Sequence, residues 1–128
     1  MSTKYNVIAR NNPSEPAAPA RYYPSVVSSG RVSLRQLARQ IAEISTVSSV
    51  DTMAVLEAML TIIPREITNG NIVELGDFGS FFLRTKSEGS DTPEGVTAAN
   101  IVRTLPRFRP GKEFAQVLNN TRFEKNSA

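Results

Sequence analysis

The 128-residue chain contains no cysteine and no histidine. Without cysteine there is no disulfide and no thiolate chemistry, a composition suited to a reducing compartment. Without histidine the commonest general base and the commonest transition-metal ligand are both missing. Carboxylates and lysine alone can build an enzyme, but no two carboxylates here have the setting such chemistry needs. No enzymatic activity, metal or other cofactor is therefore expected. The N-terminus lacks an apolar core of signal-peptide length, Tyr5–Ala9 being the longest candidate. No run approaches the roughly 20 apolar residues of a membrane span. A soluble, cytoplasmic protein of one domain, or of one domain and a tail, is the expectation.

Positive charge is also scarce. The net charge is +3, and residues 1–30 hold two units of it through Lys4, Arg10 and Arg21 against Glu15. Residues 31–128 carry 12 Lys and Arg against 11 Asp and Glu, a net of only +1. A general phosphate-binding protein is more basic than this. Any contact with a polyanion has to come from a local patch.

Composition separates residues 1–30 from residues 31–128. In the first segment, residues 4–10 suit a short strand. The sequence Asn-Asn-Pro-Ser-Glu-Pro-Ala-Ala-Pro-Ala follows, whose prolines fix φ and remove donors, so it reads as an extended linker. Residues 22–28 can form a second edge strand. The alternatives are a disordered arm and an extension docked on the body. Tyr5, Tyr22 and Tyr23 favour docking, being costly to leave exposed.

Ser33 is a good N-cap, and Gln36 completes a capping box before Leu34, Leu37, Ala38, Ile41 and Ala42 recur at helical spacing. Ser48 with Asp51 opens a second helix in the same way. Met53, Leu56, Leu60, Ile63 and Ile67 repeat at 3-4-3-4 spacing, and Val55, Met59 and Ile62 make another apolar stripe. A helix apolar on two faces needs two partners. One is the first helix; the other is most simply the same helix of a second subunit, since a body of this size gains from a shared core. Burial inside a monomer is the alternative. Pro64 should bend the helix, and Gly70 stops it.

Residues 72–75 and 80–85 read as strands joined by Gly76-Asp77-Phe78-Gly79. Residues 87–99 are polar and small, and residues 100–105 resume the sheet. Pro110 suits the first turn of a final helix over residues 111–119. Arg84 and Lys86 share one strand face by the period of two, and Arg103 stands near them at the base of the segment at about 86–101.

Two motifs stand out: Gly76-Asp77-Phe78-Gly79-Ser80-Phe81 and Pro106-Arg107-Phe108-Arg109-Pro110-Gly111-Lys112. With the order helix–helix–hairpin–arm–strand–helix, they resemble the bacterial HU/IHF family of DNA-bending, nucleoid-associated proteins. The first resembles the family's Gly-Phe-Gly-Thr-Phe turn with Asp77 as an extra residue; the second resembles its Pro-x-Phe-Arg-x-Gly-Lys signature. The resemblance covers residues 32–119, and residues 1–30 look like the extension of longer HU-related variants. It implies an α+β fold: two helices, a three-stranded antiparallel sheet with a protruding β-arm, and a short C-terminal helix, in an intertwined dimer. It further implies that Phe78, Phe81 and Phe108, with Met53, Leu56, Leu60 and Ile63, fill the core and dimer interface beneath a saddle. Arg107, Arg109 and Lys112 inherit phosphate contact there, and Arg84, Lys86 and Arg103 would extend the patch under the arm.

The arm departs from the family. Residues 87–101 hold no Lys or Arg and three acids, Glu88, Asp91 and Glu94. Family arms are basic, with an Arg-Asn-Pro tip whose proline wedges between base pairs. Pro93 stands near that position in Thr-Pro-Glu, as an intercalating wedge or as a turn residue. Two functions follow. The first is a sequence-tolerant, double-stranded-DNA-binding homodimer of the nucleoid that contacts phosphates and reads deformability. The second is an interaction module that keeps an HU-like dimer and contacts a protein through the acidic arm or the extension.

Overall fold

The computed structural model describes residues 2–127. The elements run β1 (Thr3–Arg10), β2 (Arg21–Val27), α1 (Leu34–Ile44), α2 (Ser49–Thr68), β3 (Val73–Glu74), β4 (Gly79–Ser87), β5 (Ile101–Pro110), α3 (Lys112–Asn119) and β6 (Phe123–Lys125). Leu34–Gln116 makes one compact unit, and the segments before and after it make the other.

The flanking unit is a three-stranded sheet in the order β2-β1-β6. β1 and β2 pair antiparallel, Lys4 opposite Val27 through Arg10 opposite Arg21. The proline-rich residues 11–20, expected as an extended linker, instead reverse the chain between these strands. Turns from Glu15 N–H to the Asn12 carbonyl (3.1 Å) and from Ala18 N–H to the Glu15 carbonyl (3.0 Å) close that connection. β6 runs parallel to β1, with Thr3 opposite Phe123 and Tyr5 opposite Lys125. The Lys4 ammonium meets the Glu124 carboxylate at 2.9 Å across this pair. A hairpin alone is marginal in water, so the third strand matters.

In the unit Leu34–Gln116, α1 begins directly after Ser33, and only Ala38 is fully buried on it. α2 starts at its expected cap: the Ser48 hydroxyl accepts from Asp51 N–H at 3.1 Å, and the Thr52 hydroxyl donates to the Ser48 carbonyl at 2.8 Å. The helix continues through Pro64 to Thr68.

The sheet of this unit runs β3-β4-β5, all antiparallel. β3 is shorter than the expected 72–75, whereas β4 and β5 outrun the sequence expectation: β5 extends five residues further, to Pro110, which pairs with Gly79. Pro110 therefore ends a strand rather than opening the last helix. The reason is position: β5 is an edge strand, where proline's missing donor is tolerated, and Pro106 benefits in the same way.

The two phenylalanine motifs interlock. Gly111 N–H donates to the Phe78 carbonyl at 2.8 Å, and Phe81 lies opposite Phe108 in the ladder. Phe78, Phe81, Phe108 and Phe114 form one aromatic cluster, with ring centroids 4.8–5.9 Å apart. Two glycines permit the close approach. A Cβ on Gly79 would meet the Arg109 carbonyl at 2.5 Å and the Phe108 ring at 2.6 Å, and one on Gly111 would run into the Asp77 carbonyl.

The unit is incompletely closed over its apolar side chains. Among the described residues, only Ala38 and Ile67 are buried apolar ones. Val55 (59%), Leu60 (61%) and Phe78 (44%) keep much of their surface exposed.

Candidate nucleic-acid interface

The β4–β5 ladder sorts its side chains by parity, because residues directly opposite in an antiparallel pair share a face. Phe81, Leu83, Pro106 and Phe108 lie on one side. That side meets α2, where Met59, Leu60, Ile63 and Ile67 join Phe81, Leu83 and Pro106 around a groove of about 400 Å³. The other side carries Ser80 opposite Arg109, Phe82 opposite Arg107, Arg84 opposite Leu105 and Lys86 opposite Arg103. Five cations thus share one face, and all five are exposed.

The period of two groups Arg84 with Lys86. The ladder register adds Arg103, Arg107 and Arg109. Lys112 does not join them; it is exposed on the first residue of α3. The face also holds Phe82, which the sequence reading overlooked. The Arg109 guanidinium carbon lies 5.6 Å from the Phe82 ring centroid, a cation–π arrangement that holds the cation over the sheet. Strand alternation alone, counted from Phe81, would have placed Phe82 there.

From Ser80 to Lys86 the face extends about 20 Å at the usual rise per residue. Over that axial length one strand of B-DNA presents about six phosphates. The only acid within β3, β4 and β5 is Glu74, opposite Ser80 at the far end from Lys86. Lys86 and Arg103 face each other directly, a like-charge pair that destabilises the free protein. An anion lying across the face would offset that repulsion.

Beyond Ser87 and Ile101 the ladder stops, and residues 88–100 form a closed loop. The Asn100 amide donates to the Glu88 carbonyl and to the Ser90 hydroxyl, both at 3.0 Å. Ser90 donates in turn to the Gly95 carbonyl at 3.1 Å. Pro93 opens a 3-10 turn over Pro93–Gly95, capped by the Thr92 hydroxyl accepting from Gly95 N–H at 3.2 Å. The loop is polar and acidic, and the cations stop at its base.

Among the residues predicted to form the apolar interface, Met53, Leu56, Ile63 and Phe81 are half-buried, whereas Leu60, Phe78 and Phe108 are exposed. Among the described residues no helix is long and apolar enough to cross a membrane, and no group of three or more Asp and Glu is placed to hold a metal.

A family model described as an HU domain fused to a wHTH, Ig or glycine-rich motif matches residues 1–125. Integration host factor subunit alpha of Vibrio atlanticus is 30% identical over 91 residues, covering 70% of this chain and 93% of that protein. DNA-binding protein HRL18 of Rhizobium leguminosarum is 26% identical over 87 residues, 66% of this chain and 96% of its own length. Among solved structures, an Anabaena HU–DNA cocrystal aligns with a TM-score of 0.56 and 26% identity over 69% of this chain and 98% of that one. A putative bacterial DNA-binding protein from Bacteroides vulgatus shares the fold over 98% of this chain, with a TM-score of 0.65 and 11% identity. The chain spans 49% of that protein's length.

Proposed function

Because the chain belongs to the HU-HIG family of HU-domain proteins, we propose that it is an HU-like DNA-binding protein that grips the phosphate backbone without reading base sequence. The observation carrying this reading is the single cationic face of the β4–β5 hairpin, with Arg84, Lys86, Arg103, Arg107 and Arg109 on one side and the apolar packing on the other. The names of its relatives, a DNA-binding protein and an integration host factor subunit, and the DNA in the Anabaena HU cocrystal, support the same ligand. The face presents guanidinium and ammonium groups to phosphates, contacts that position a protein on duplex without specifying sequence. Lys112 adds a cation beside the first N–H groups of α3, where an anion is favoured. Preference among sequences would then come from the cost of deforming them.

The acting species in this reading is a homodimer. Its support is the apolar surface left open along α2 and at Phe78 and Phe108, together with the groove beside β4 and β5. A second copy would cover these surfaces and complete the core. Pro93 takes a turn role, held by the Thr92 cap, and the proposal needs no insertion between base pairs. Without cations on residues 88–100, the arm adds little grip, so affinity rests on the hairpin base. A location on the nucleoid follows from this reading.

The test is a salt series of binding to a short duplex, with the native chain and with Arg107→Ala/Arg109→Ala/Lys112→Ala. With at least six phosphate contacts, native affinity falls by about a thousandfold or more between 50 and 200 mM salt, and the variant binds more weakly with a shallower slope. Absence of native binding at low salt would refute the proposal.

A further inference from the structure

The charge of the molecule is concentrated away from the hairpin. Residues 1–33 and 117–128, which make the β2-β1-β6 sheet, hold six Lys and Arg against two Glu, a net of +4. Leu34–Gln116 holds nine against ten, a net of −1. The small sheet is therefore the more strongly attractive unit for a polyanion.

Its ladder registers place the aromatic residues as well. On one face lie Tyr5, Val7, Tyr22, Pro24, Val26 and Phe123, which line an open groove of about 500 Å³. Tyr22 is 71% exposed and Phe123 60%. Lys125 lies opposite Tyr5 on this face, whereas the Arg10–Arg21 pair at the end of the ladder lies on the other face with Lys4. Both acids lie elsewhere: Glu124 is bound to Lys4 on the opposite face, and Glu15 is in the connection between β1 and β2. From the level of Phe123 to that of Tyr22 the face runs about 20 Å.

Exposed aromatic rings spaced along a sheet and flanked by cations bind unpaired nucleic acid, because every base has a face to stack and every linkage carries a charge. A duplex cannot use such rings while its bases stay stacked on each other. We propose that this face binds single-stranded DNA, with Tyr5, Tyr22 and Phe123 stacking on bases and Lys125 meeting phosphate, in a unit whose net charge of +4 draws the polyanion to it. Thymine is the favoured base, since Val7, Pro24 and Val26 give its methyl group an apolar floor. This is a second site, independent of the hairpin's contact with duplex.

The experiment measures full-chain affinity by fluorescence anisotropy for a thymidine oligomer of roughly 16 nucleotides, the matching uridine oligomer and a duplex. Tyr22→Ala, at an exposed position, weakens thymidine-oligomer binding about tenfold or more and leaves duplex binding unchanged; Tyr22→Phe retains both. Arg107→Ala/Arg109→Ala does the reverse, weakening duplex binding only. The proposal is overturned if the single strand does not bind at low salt, if Tyr22→Ala leaves its binding unchanged, or if the hairpin variant alone abolishes it. It is also overturned if Tyr22→Ala instead lowers self-association in sedimentation, which would assign the face to a second copy. Equal affinity for the uridine oligomer would overturn the assignment to DNA.

Discussion

Replacing Lys86 by glutamate should strengthen the fold and weaken DNA binding together. Lys86 lies directly opposite Arg103, and both are exposed. The substitution removes a like-charge cross-strand pair and creates an opposite-charge one, each change worth about 0.2–1 kcal/mol. Both side chains are solvated and the ladder is irregular just beyond Lys86. Taking the lower part of that range gives a net gain of about 0.5–1 kcal/mol after screening, equivalent to a rise in Tm of about 2–5 °C. At 1 M salt, where the Debye length is about 3 Å, the gain should vanish. Binding moves the other way. In the proposed dimer two phosphate contacts disappear, which lowers the slope of log K against log salt by about 1.8 and the affinity at 0.1 M by about 60-fold. The added acid increases that loss. Calorimetry at fixed protein concentration, at low and high salt, gives the first quantity, and anisotropy titration gives the second. A destabilised variant with unchanged DNA affinity would refute the cationic-face argument in both its parts.

Gly111→Ala should lower the urea midpoint by the equivalent of about 3 kcal/mol or more, because a Cβ there strikes the Asp77 backbone. Ser48→Ala removes the hydroxyl that accepts from Asp51 N–H and should cost about 1 kcal/mol in the same measurement. Leu60→Glu, at a position 61% exposed within one chain, should leave helical circular dichroism intact and shift sedimentation equilibrium to monomer; an unchanged dimer would remove Leu60 from the interface. Pro93→Ala should leave the bend angle of bound duplex, measured by energy transfer between end labels, unchanged.

Local signals in the sequence were strong where one residue type had one use. Ser48 with Asp51 marked the start of α2, and the Phe78–Phe81 and Phe108 motifs marked the hairpin. The extent of β5 was harder to see, because Pro110 suits the first turn of a helix as well as the end of a strand, and proline is at home in a strand only at an edge. The site was half legible for a related reason. Alternation grouped Arg84 with Lys86, but adding Arg103, Arg107 and Arg109 to the same face needs the register, which is set by the Gly79–Pro110 closure rather than by any of the cations. β6 was invisible, since three residues carry no period, and its parallel partner lies over a hundred positions away. The open face of the small sheet was hidden with it.

That parallel pairing also has a consequence in time. The Leu34–Gln116 unit has its own aromatic cluster and ladder, and can collapse as soon as its residues leave the ribosome. The small sheet cannot. β1 and β2 can meet early, but their sheet lacks its third strand until residues 123–125 have been synthesised. The nascent chain therefore carries an unfinished, aromatic, positively charged hairpin until residues 123–125 emerge, and β6 then completes the sheet that β1 and β2 began.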